Sequence, residues 1–484
     1  PHAAGTAYVA ANRFQLGDMR PYLWKTTDYG KTWTKITDGI ADEEFTRVIR
    51  EDPERAGLLY AGTERGVWVS FNDGASWQSL QRDLPPVPVH DLTIKEGDLI
   101  AATHGRSFYV MDDLSALRQL TPQVVAQRAH LFQPRDAYRV QWGRGFGGGD
   151  GGGTVGANPP GGPTVYYWLK QPGQKVALEF LDASGKVIHR YESAPERDTT
   201  RRARAGVSSA SPDAPAAAPS EQAAQPTPRR GGGREASVPN KAGLNQFTWD
   251  MRYPDAVGFQ GLIMWAGRLT GPIAPPGTYQ VRLTVGDAAP QTQRFALLKD
   301  PRTEATQGDL VAQFNMLIAI RDRLSDANNA VRTIRNVKFQ LDDREKTISG
   351  GDSTRYASLA DSLATAISTV EEALYQVKNR SGQDPLNYPI RLNNEIAALA
   401  GHVGSGEMAP TAQAKEVFAL LSQRLDAQLD TLKRTMDDML PRVNAILRQA
   451  GKAPIVPSTE EVGRPPNNVA MDDDTELEAD HVNW

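Results

Sequence analysis

The sequence predicts a multidomain chain that is mainly β and then α: a partial β-propeller, an immunoglobulin-like β-sandwich and a C-terminal antiparallel helical bundle. Three observations lead to this fold class. A turn motif that ends in Trp recurs near the N-terminus, short strand-like runs alternate with turn signals in the middle, and apolar residues recur at helical spacing towards the C-terminus. We therefore divide the chain into residues 1–120, 121–300, 301–450 and a flexible acidic tail, 451–484.

Two eight-residue segments, 26–33 and 70–77, share the pattern Ser/Thr-x-Asp/Asn-x-Gly-x-Ser/Thr-Trp. The first contains Thr26, Asp28, Gly30, Thr32 and Trp33, and the second contains Ser70, Asn72, Asp73, Gly74, Ser76 and Trp77. The two copies start 44 positions apart, a repeat length typical of one four-stranded propeller blade. Asp, Asn and Gly favour a tight turn that their side chains and a nearby hydroxyl can bond. We predict a folding device rather than a catalytic site, with both Trp rings buried between neighbouring sheets.

The repeat continues outside the motif. Residues 59–63 precede 66–68, residues 99–103 precede 106–110, and residues 7–11 resemble the same strand one blade earlier. In the third copy, Asp112 and Asp113 stand where the turn motif is expected. Residues 1–120 thus hold about two and a half to three blades, whereas a closed propeller needs about 4–8. We expect the remaining blades to come from upstream sequence or from another chain.

Composition narrows the classes of function. The 484 residues carry a net charge of −4, so no overall basic field favours nucleic acid, and no apolar run is long enough to span a membrane. There are no cysteines, which excludes disulfides, thiolate metal sites and a Cys nucleophile. The chain starts at Pro1, in mid-blade and without a visible signal peptide. We expect it to be the C-terminal part of a longer protein or a processed product, with any export signal upstream.

Residues 121–300 read as a β-sandwich with two interruptions. The predicted strands are 164–169, 176–181, 186–191, 243–250 and 277–285, and the second and third pair across the turn at 182–185. A glycine-rich loop, 143–162, lacks the Gly-Lys-Ser/Thr ending of a phosphate loop. Residues 195–240, rich in Ala, Pro, Ser and Arg, are expected to be a disordered insertion.

Residues 301–450 change to helical periodicity. One long helix is predicted from two rows of apolar residues that recur every seven positions: Leu310, Leu317, Leu324 and Val331, and Ile320, Ala327, Ile334 and Leu341. Three further stripes run from Tyr356 to Val377, from Leu392 to Val403 and from Val417 to Val443. We interpret the stripes as core, and a homo-oligomer through the helices remains the alternative. His402 is the only histidine in this region, which argues against a di-iron site.

The arrangement resembles a family of large bacterial exported proteins described as sortilin-like or glycosyl-hydrolase-like, with bacterial neuraminidase (Asp-box) repeats. The residues that carry the resemblance are the two motifs, the segment 102–113, Asn158-Pro159-Pro160 before the strand 164–169, the segments 243–250 and 276–279, and 392–396 with 410–411 in the helices. The family implies an extracytoplasmic location, in the periplasm, at the cell surface or secreted.

Two functions from different classes fit this resemblance. The favoured one is a non-catalytic binding or scaffold protein that presents the propeller to a protein or glycan partner. The alternative is a glycoside hydrolase, sialidase-like or polysaccharide-cleaving, with its main catalytic residues in upstream blades. Weak catalytic candidates in this chain are His104, Arg106, Asp112 and Asp113, and we assign no cofactor and no metal. A degenerate turn is the simpler interpretation of Asp112 and Asp113.

Overall fold

The computed structural model describes residues 1–140, 158–159, 161–194 and 237–461. Most of the glycine-rich loop, most of the insertion and the acidic tail after residue 461 lie outside the described residues, so their predictions stay untested. The chain divides into two compact units, Pro1–Arg252 with Pro275–Arg302, and Tyr253–Ala274 with Thr303–Trp484.

The first unit begins with three antiparallel sheets in chain order. Their strands are β1 (Ala7–Arg13), β2 (Asp18–Thr26) and β3 (Thr34–Lys35); β4 (Thr46–Glu51), β5 (Leu59–Thr63), β6 (Val67–Ser70) and β7 (Gln78–Ser79); and β8 (Val89–Lys95), β9 (Asp98–Thr103) and β10 (Phe108–Met111). Each strand pairs with the next one in the chain within its sheet. The repeated strands expected at 7–11, 59–63 and 99–103 are therefore confirmed.

The three sheets are stacked through apolar side chains. Between the first and second sheets lie Leu23, Ile36, Ile40, Ile49, Leu59, Ala61 and Trp77. Between the second and third lie Val48, Tyr60, Val69, Val89, Leu92, Leu99 and others. Gly62 allows the second contact, because a Cβ there would lie 2.6 Å from Val48 Cγ1 and 2.8 Å from Val89 Cγ1. The described sheets are open and do not close into a ring.

Two short helices, α1 (Ser115–Gln119) and α2 (Pro122–Ala126), lead from the third sheet into the remainder of the first unit. Eight strands follow: β11 (Ala129–Leu131), β12 (Ala137–Arg139), β13 (Thr164–Leu169), β14 (Val176–Leu181), β15 (Val187–Glu192), β16 (Gly243–Thr248), β17 (Gly277–Val285) and β18 (Gln291–Lys299). They form a three-stranded sheet, β11-β13-β16, and a five-stranded sheet, β12-β18-β17-β14-β15. The strands predicted in this region are confirmed, including the β14–β15 hairpin.

Aromatic rings fill the core beside these two sheets. The Phe180 ring stacks on Trp249 at 4.8 Å between centroids and lies 6.1 Å from Phe247 on β16. Trp249 is fully buried, and Tyr279 and Phe295 meet it edge-on. Rings from both sheets thus share one buried cluster.

The second unit is helical. Its helices are α3 (Gln307–Glu345), α4 (Gly351–Leu374), α5 (Leu392–Val403) and α6 (Ala412–Gln449), which share one buried core. Near the start of α4, the Tyr356 hydroxyl donates to Leu341 O near the end of α3. Near the end of α4, Glu371 accepts from Arg335, which lies earlier in α3. Residue numbers rise along α4 as they fall along α3, so these two helices are antiparallel. No described helix is long and apolar enough to cross a membrane.

Two details differ from the expectations. Val417 begins the predicted stripe of the last helix but is 43% exposed, because the side of α6 that faces the core carries Ala414, Phe418 and Leu421 instead. Residues 253–274, expected in the sandwich, group with the helices. Ala256 and Phe259 of this segment lie in the helical core, and the Val257 N–H donates to Ser325 Oγ of α3.

Candidate functional site

The first turn motif follows β2 and is held by its own side chains. Thr26 Oγ1 accepts the Gly30 N–H at 3.0 Å and donates to Asp28 Oδ1 at 2.8 Å. The two Asp28 oxygens accept the backbone N–H and the hydroxyl of Thr32, at 2.9 and 2.6 Å. The carboxylate is therefore used inside the turn, as the sequence pattern indicated.

The second motif, after β6, repeats these bonds with an amide in place of the carboxylate. Ser70 Oγ accepts the Gly74 N–H and donates to Asn72 Oδ1, both at 2.9 Å. Asn72 Oδ1 accepts the Ser76 N–H, and Asn72 Nδ2 donates to Ser76 Oγ, again at 2.9 Å. Asp28 and Asn72 thus have the same structural role, which requires an acceptor oxygen rather than a negative charge.

The two Trp residues have different surroundings. Trp77 is 5% exposed, packs on the first sheet and donates from Nε1 to Ile36 O at 2.7 Å. Trp33 is 42% exposed, and its Nε1 donates to Gly30 in its own turn at 3.1 Å. The prediction that both rings are buried between sheets is therefore right for Trp77 and wrong for Trp33. Trp77 packs on the sheet that precedes its own, whereas in the described residues no sheet precedes that of Trp33.

Asp73 also reaches the preceding sheet. The Tyr8 hydroxyl donates to its Oδ1 at 2.6 Å, and Lys25 forms an ion pair with its Oδ2. Burial and the Asp73 carboxylate raise the pKa of Tyr8 above its ordinary value, which keeps the phenol protonated as a donor. Tyr29, at the same position of the first motif, is 78% exposed. Trp77 and Asp73 therefore attach the second turn to the first sheet, whereas Trp33 and Tyr29, at the same two positions of the first turn, are exposed.

A polar cleft of about 520 Å³ lies where the two motifs face each other. Its walls are residues of both turns and of the segment after β3: Lys25, Thr27, Thr32, Thr34, Lys35, Ile36, Thr37, Asp38, Asn72, Asp73, Gly74 and Ala75. Lys25 and Asp73 are paired with each other, and Asp38 O accepts the Trp77 N–H. Contacts between the sheets thus use the side chains of Lys25 and Asp73 and the carbonyl of Asp38 in this lining.

Acid is expected to weaken the first turn more than the second. Hydrogen bonds from the Thr32 hydroxyl, the Thr32 backbone N–H and the Thr26 hydroxyl, in decreasing order of effect, lower the pKa of Asp28 to about 2. The folded pKa is below the unfolded value of about 3.9. The ionised Asp28 carboxylate therefore stabilises the turn fully above about pH 3.9, and this stabilisation is lost as pH falls towards 2. Asp28→Asn copies the second turn, so hydrogen exchange at the first turn should depend less on pH between about pH 4 and 2.

Asn72→Asp is the reciprocal control, because it should give the second turn the acid sensitivity that Asp28 gives the first. Amide exchange of Gly30 and Gly74, followed by NMR against pH, measures both effects. An acid response of Gly30 that is unchanged in Asp28→Asn would contradict this account of the turn.

Asp112 and Asp113 lie at the end of β10. The Asp113 N–H donates to Asp98 Oδ1 at 2.9 Å, and Asp113 Oδ1 accepts the Ser115 N–H at the start of α1. Burial raises the pKa of Asp112, repulsion from Asp98 and Asp113 adds to the rise, and Arg135 opposes it. Asp113 thus connects the third sheet to the start of α1.

His104 and Arg106 lie in the loop between β9 and β10, at the opposite end of the same hairpin. Both are exposed. Because β9 spans six residues at about 3.3 Å each, roughly 17 Å separates the two ends. The structure does not bring the four candidate residues together. His104 instead contacts His90, with Nδ1 and Nε2 3.3 Å apart. His90, Tyr8 and Lys25 were not predicted from the sequence as site residues.

The surroundings of His90 shift its pKa. Partial desolvation, the Arg47 charge and His104 lower the pKa of His90, so its imidazole is more readily neutral. No group of three or more His, Asp or Glu side chains in the described part of the chain is placed to hold a metal ion.

Comparisons with known proteins give a limited result. No family model matches the chain, and no curated protein matches it. Two solved structures show local similarity. An ancestral GH74 enzyme has 21% identity and a TM-score of 0.19, over 22% of this chain and 13% of the enzyme. The extracellular domain of a B. thetaiotaomicron protein, described as a candidate one component system, has 8% identity and a TM-score of 0.17. That match covers 59% of this chain and 29% of that one, so this chain spans less than a third of either structure.

Proposed function

We propose that this chain is part of a non-catalytic, extracytoplasmic binding or scaffold protein, in which its stacked sheets belong to a larger Asp-box propeller. One observation carries the proposal: the second sheet is attached to the first through Trp77 and Asp73, whereas the equivalent Trp33 and Tyr29 face solvent. The first sheet therefore has a Trp at the position that makes the sheet-to-sheet contact, and in the described residues no sheet covers it. The extracytoplasmic location rests on the family resemblance.

The opposite end of the stack supports the same proposal. Tyr109 and Met111 of β10 pack towards the second sheet, whereas Phe108 and Val110 on the other face are 70% and 53% exposed. Val9 of β1 is likewise 43% exposed, on the face away from the second sheet. Apolar side chains on both outer faces are suited to further sheets of the same kind, from upstream sequence or another chain.

The chemistry of the site favours binding over catalysis. Asp28 and Asn72 are used inside their turns, and the four catalytic candidates are divided between two ends of one hairpin. A glycosidase needs two carboxyl groups about 5–10 Å apart across the sugar. A glycoside hydrolase stays the second candidate because of Asp112, whose raised pKa is the property that a general acid needs. Its second carboxylate would then come from upstream blades.

Site-specific cross-linking tests the scaffold proposal. A photoreactive amino acid at Trp33 or Tyr29, in the protein as it occurs in the producing cell, should cross-link to a sheet of the same repeat type. Mass spectrometry would identify the linked peptide. The same probe at the exposed Leu386 of the helical unit is the control. Cross-links at Trp33 that are as diverse as those at Leu386 would contradict a specific sheet contact.

Hydrolysis assays test the alternative. We expect no turnover of sialosides or polysaccharides that depends on this chain's carboxylates, so Asp112→Asn and Asp113→Asn should leave the activity of the whole protein unchanged. Hydrolysis that falls by two or more orders of magnitude in Asp112→Asn would instead identify Asp112 as a general acid. Protein and glycan binding by the same variants should be preserved.

A further inference from the structure

The β4–β5 and β8–β9 hairpins share one irregularity. Thr46 pairs with Thr63 and Val48 with Gly62, so Arg47 is an extra residue on β4. Val89 pairs with Thr103 and Asp91 with Ala102, so His90 is the extra residue on β8. A β-bulge of this kind changes the direction of a side chain at the end of a strand.

The residue after the partner strand is also equivalent in the two hairpins. The Glu64 N–H donates to Phe45 O at 3.1 Å, and the His104 N–H donates to Pro88 O at 2.9 Å. In the second sheet, the bulge residue and this residue form an ion pair, Arg47 Nε to Glu64 Oε2 at 3.0 Å. In the third sheet, the same two positions hold His90 and His104, whose nitrogens are 3.3 Å apart. The repeat thus places two imidazoles where its neighbour has a salt bridge.

We propose that His90 and His104 bind one divalent transition metal ion of the Zn²⁺ type. Tetrahedral Zn²⁺ with Zn–N bonds of about 2.0–2.1 Å places two nitrogen ligands roughly 3.3–3.4 Å from each other. The Nδ1–Nε2 distance of 3.3 Å matches that separation, and the rings are nearly perpendicular, at 86°. Both side chains are exposed, so an ion from solvent can reach the two nitrogens.

The donor set selects the class of metal. Two imidazoles suit Zn²⁺, Cu²⁺ or Ni²⁺, whereas Ca²⁺ and Mg²⁺ require oxygen ligands. Arg47 and Glu64, the two residues of the neighbouring sheet whose charges act on His90, form an ion pair with each other. The two remaining coordination positions are open to water or to a ligand from a partner. The site would bind an ion whether or not the sheets belong to a larger ring.

Calorimetry with ZnCl₂ on the whole chain tests this proposal. We expect one Zn²⁺ per chain, and at least about tenfold weaker binding in His90→Gln and in His104→Gln. His402→Gln, at an exposed histidine of the helical unit, should bind as the unchanged protein does. MgCl₂ and CaCl₂ should give no binding at these positions. Absence of Zn²⁺ binding, or an affinity in either His90→Gln or His104→Gln that equals that of the unchanged protein, would overturn the proposal.

A paired variant separates metal binding from folding. His90→Arg together with His104→Glu copies the Arg47–Glu64 ion pair of the second sheet, so the hairpin should fold while the metal ligands are lost. With ZnCl₂, amide hydrogen exchange near Val89 and Thr103 should slow in the unchanged protein and not in this variant. Equal slowing in both proteins would place the ion elsewhere and contradict the assignment.

Discussion

Trp77→Ala is expected to lower the free energy of unfolding of the first two sheets by about 3–5 kcal/mol. The ring is 5% exposed and lies among Leu23, Ile36, Ile49 and other apolar side chains of both sheets. Its removal leaves a cavity between the sheets and leaves Ile36 O without the Nε1–H donor. The loss should appear as faster hydrogen exchange of amides in β2, β4 and β5, at conditions where β14 and β17 are still protected.

Trp33→Ala is the matched control, because the same residue type occupies the same position of the repeat. Its ring is 42% exposed and its Nε1–H bond stays within its own turn. We expect a loss below about 1 kcal/mol, since little buried surface is removed. Equal losses for the two variants would show that the turn itself, rather than the contact between sheets, accounts for the effect.

Arg118→Ala is expected to lower the free energy of unfolding by about 3–5 kcal/mol, because it leaves a buried charge unpaired. Asp52 is fully buried at the end of β4, and its two carboxylate oxygens accept from Arg118 Nε at 3.0 Å. The backbone N–H groups of Glu54 and Arg55 add two bonds to the same carboxylate. These two donors place the expected loss towards the lower end of the range.

Arg135→Ala is the control for this prediction. Arg135 also pairs with an aspartate, Asp98, but the two side chains are 41% and 27% exposed, so the loss should be about 0–1 kcal/mol. Combining Asp52→Asn with Arg118→Met should recover part of the stability, since it removes both charges together. Urea unfolding followed by exchange of β4 amides measures all three variants. A double variant that is less stable than Arg118→Ala would contradict the explanation by an unpaired charge.

The strands and helices could be predicted because the signals are local. Similarity between repeats located β9, a short strand-like run between turn signals located β17, and the seven-residue recurrence located α3. The turn bonds could be predicted as well, since Thr26, Asp28 and Thr32 lie within six positions of one another.

What could not be predicted depends on neighbours that are distant in the chain. Trp33 and Trp77 have the same local sequence pattern, and only the presence of a preceding sheet separates their exposures. The Asp52–Arg118 pair joins residues 66 positions apart. The position of His90 could be predicted in principle, because an alignment of the β4–β5 and β8–β9 hairpins places it at the position of Arg47. Its contact with His104 depends on a residue 14 positions away.

The interchange of carboxylate and amide in the two turns has a consequence for protein engineering. Because Asp28 and Asn72 make equivalent bonds, each copy of the turn can change by one unit of charge while its backbone bonds are conserved. An array of such repeats can therefore shift its isoelectric point stepwise, and with it colloidal solubility and non-specific adsorption, independently of the fold.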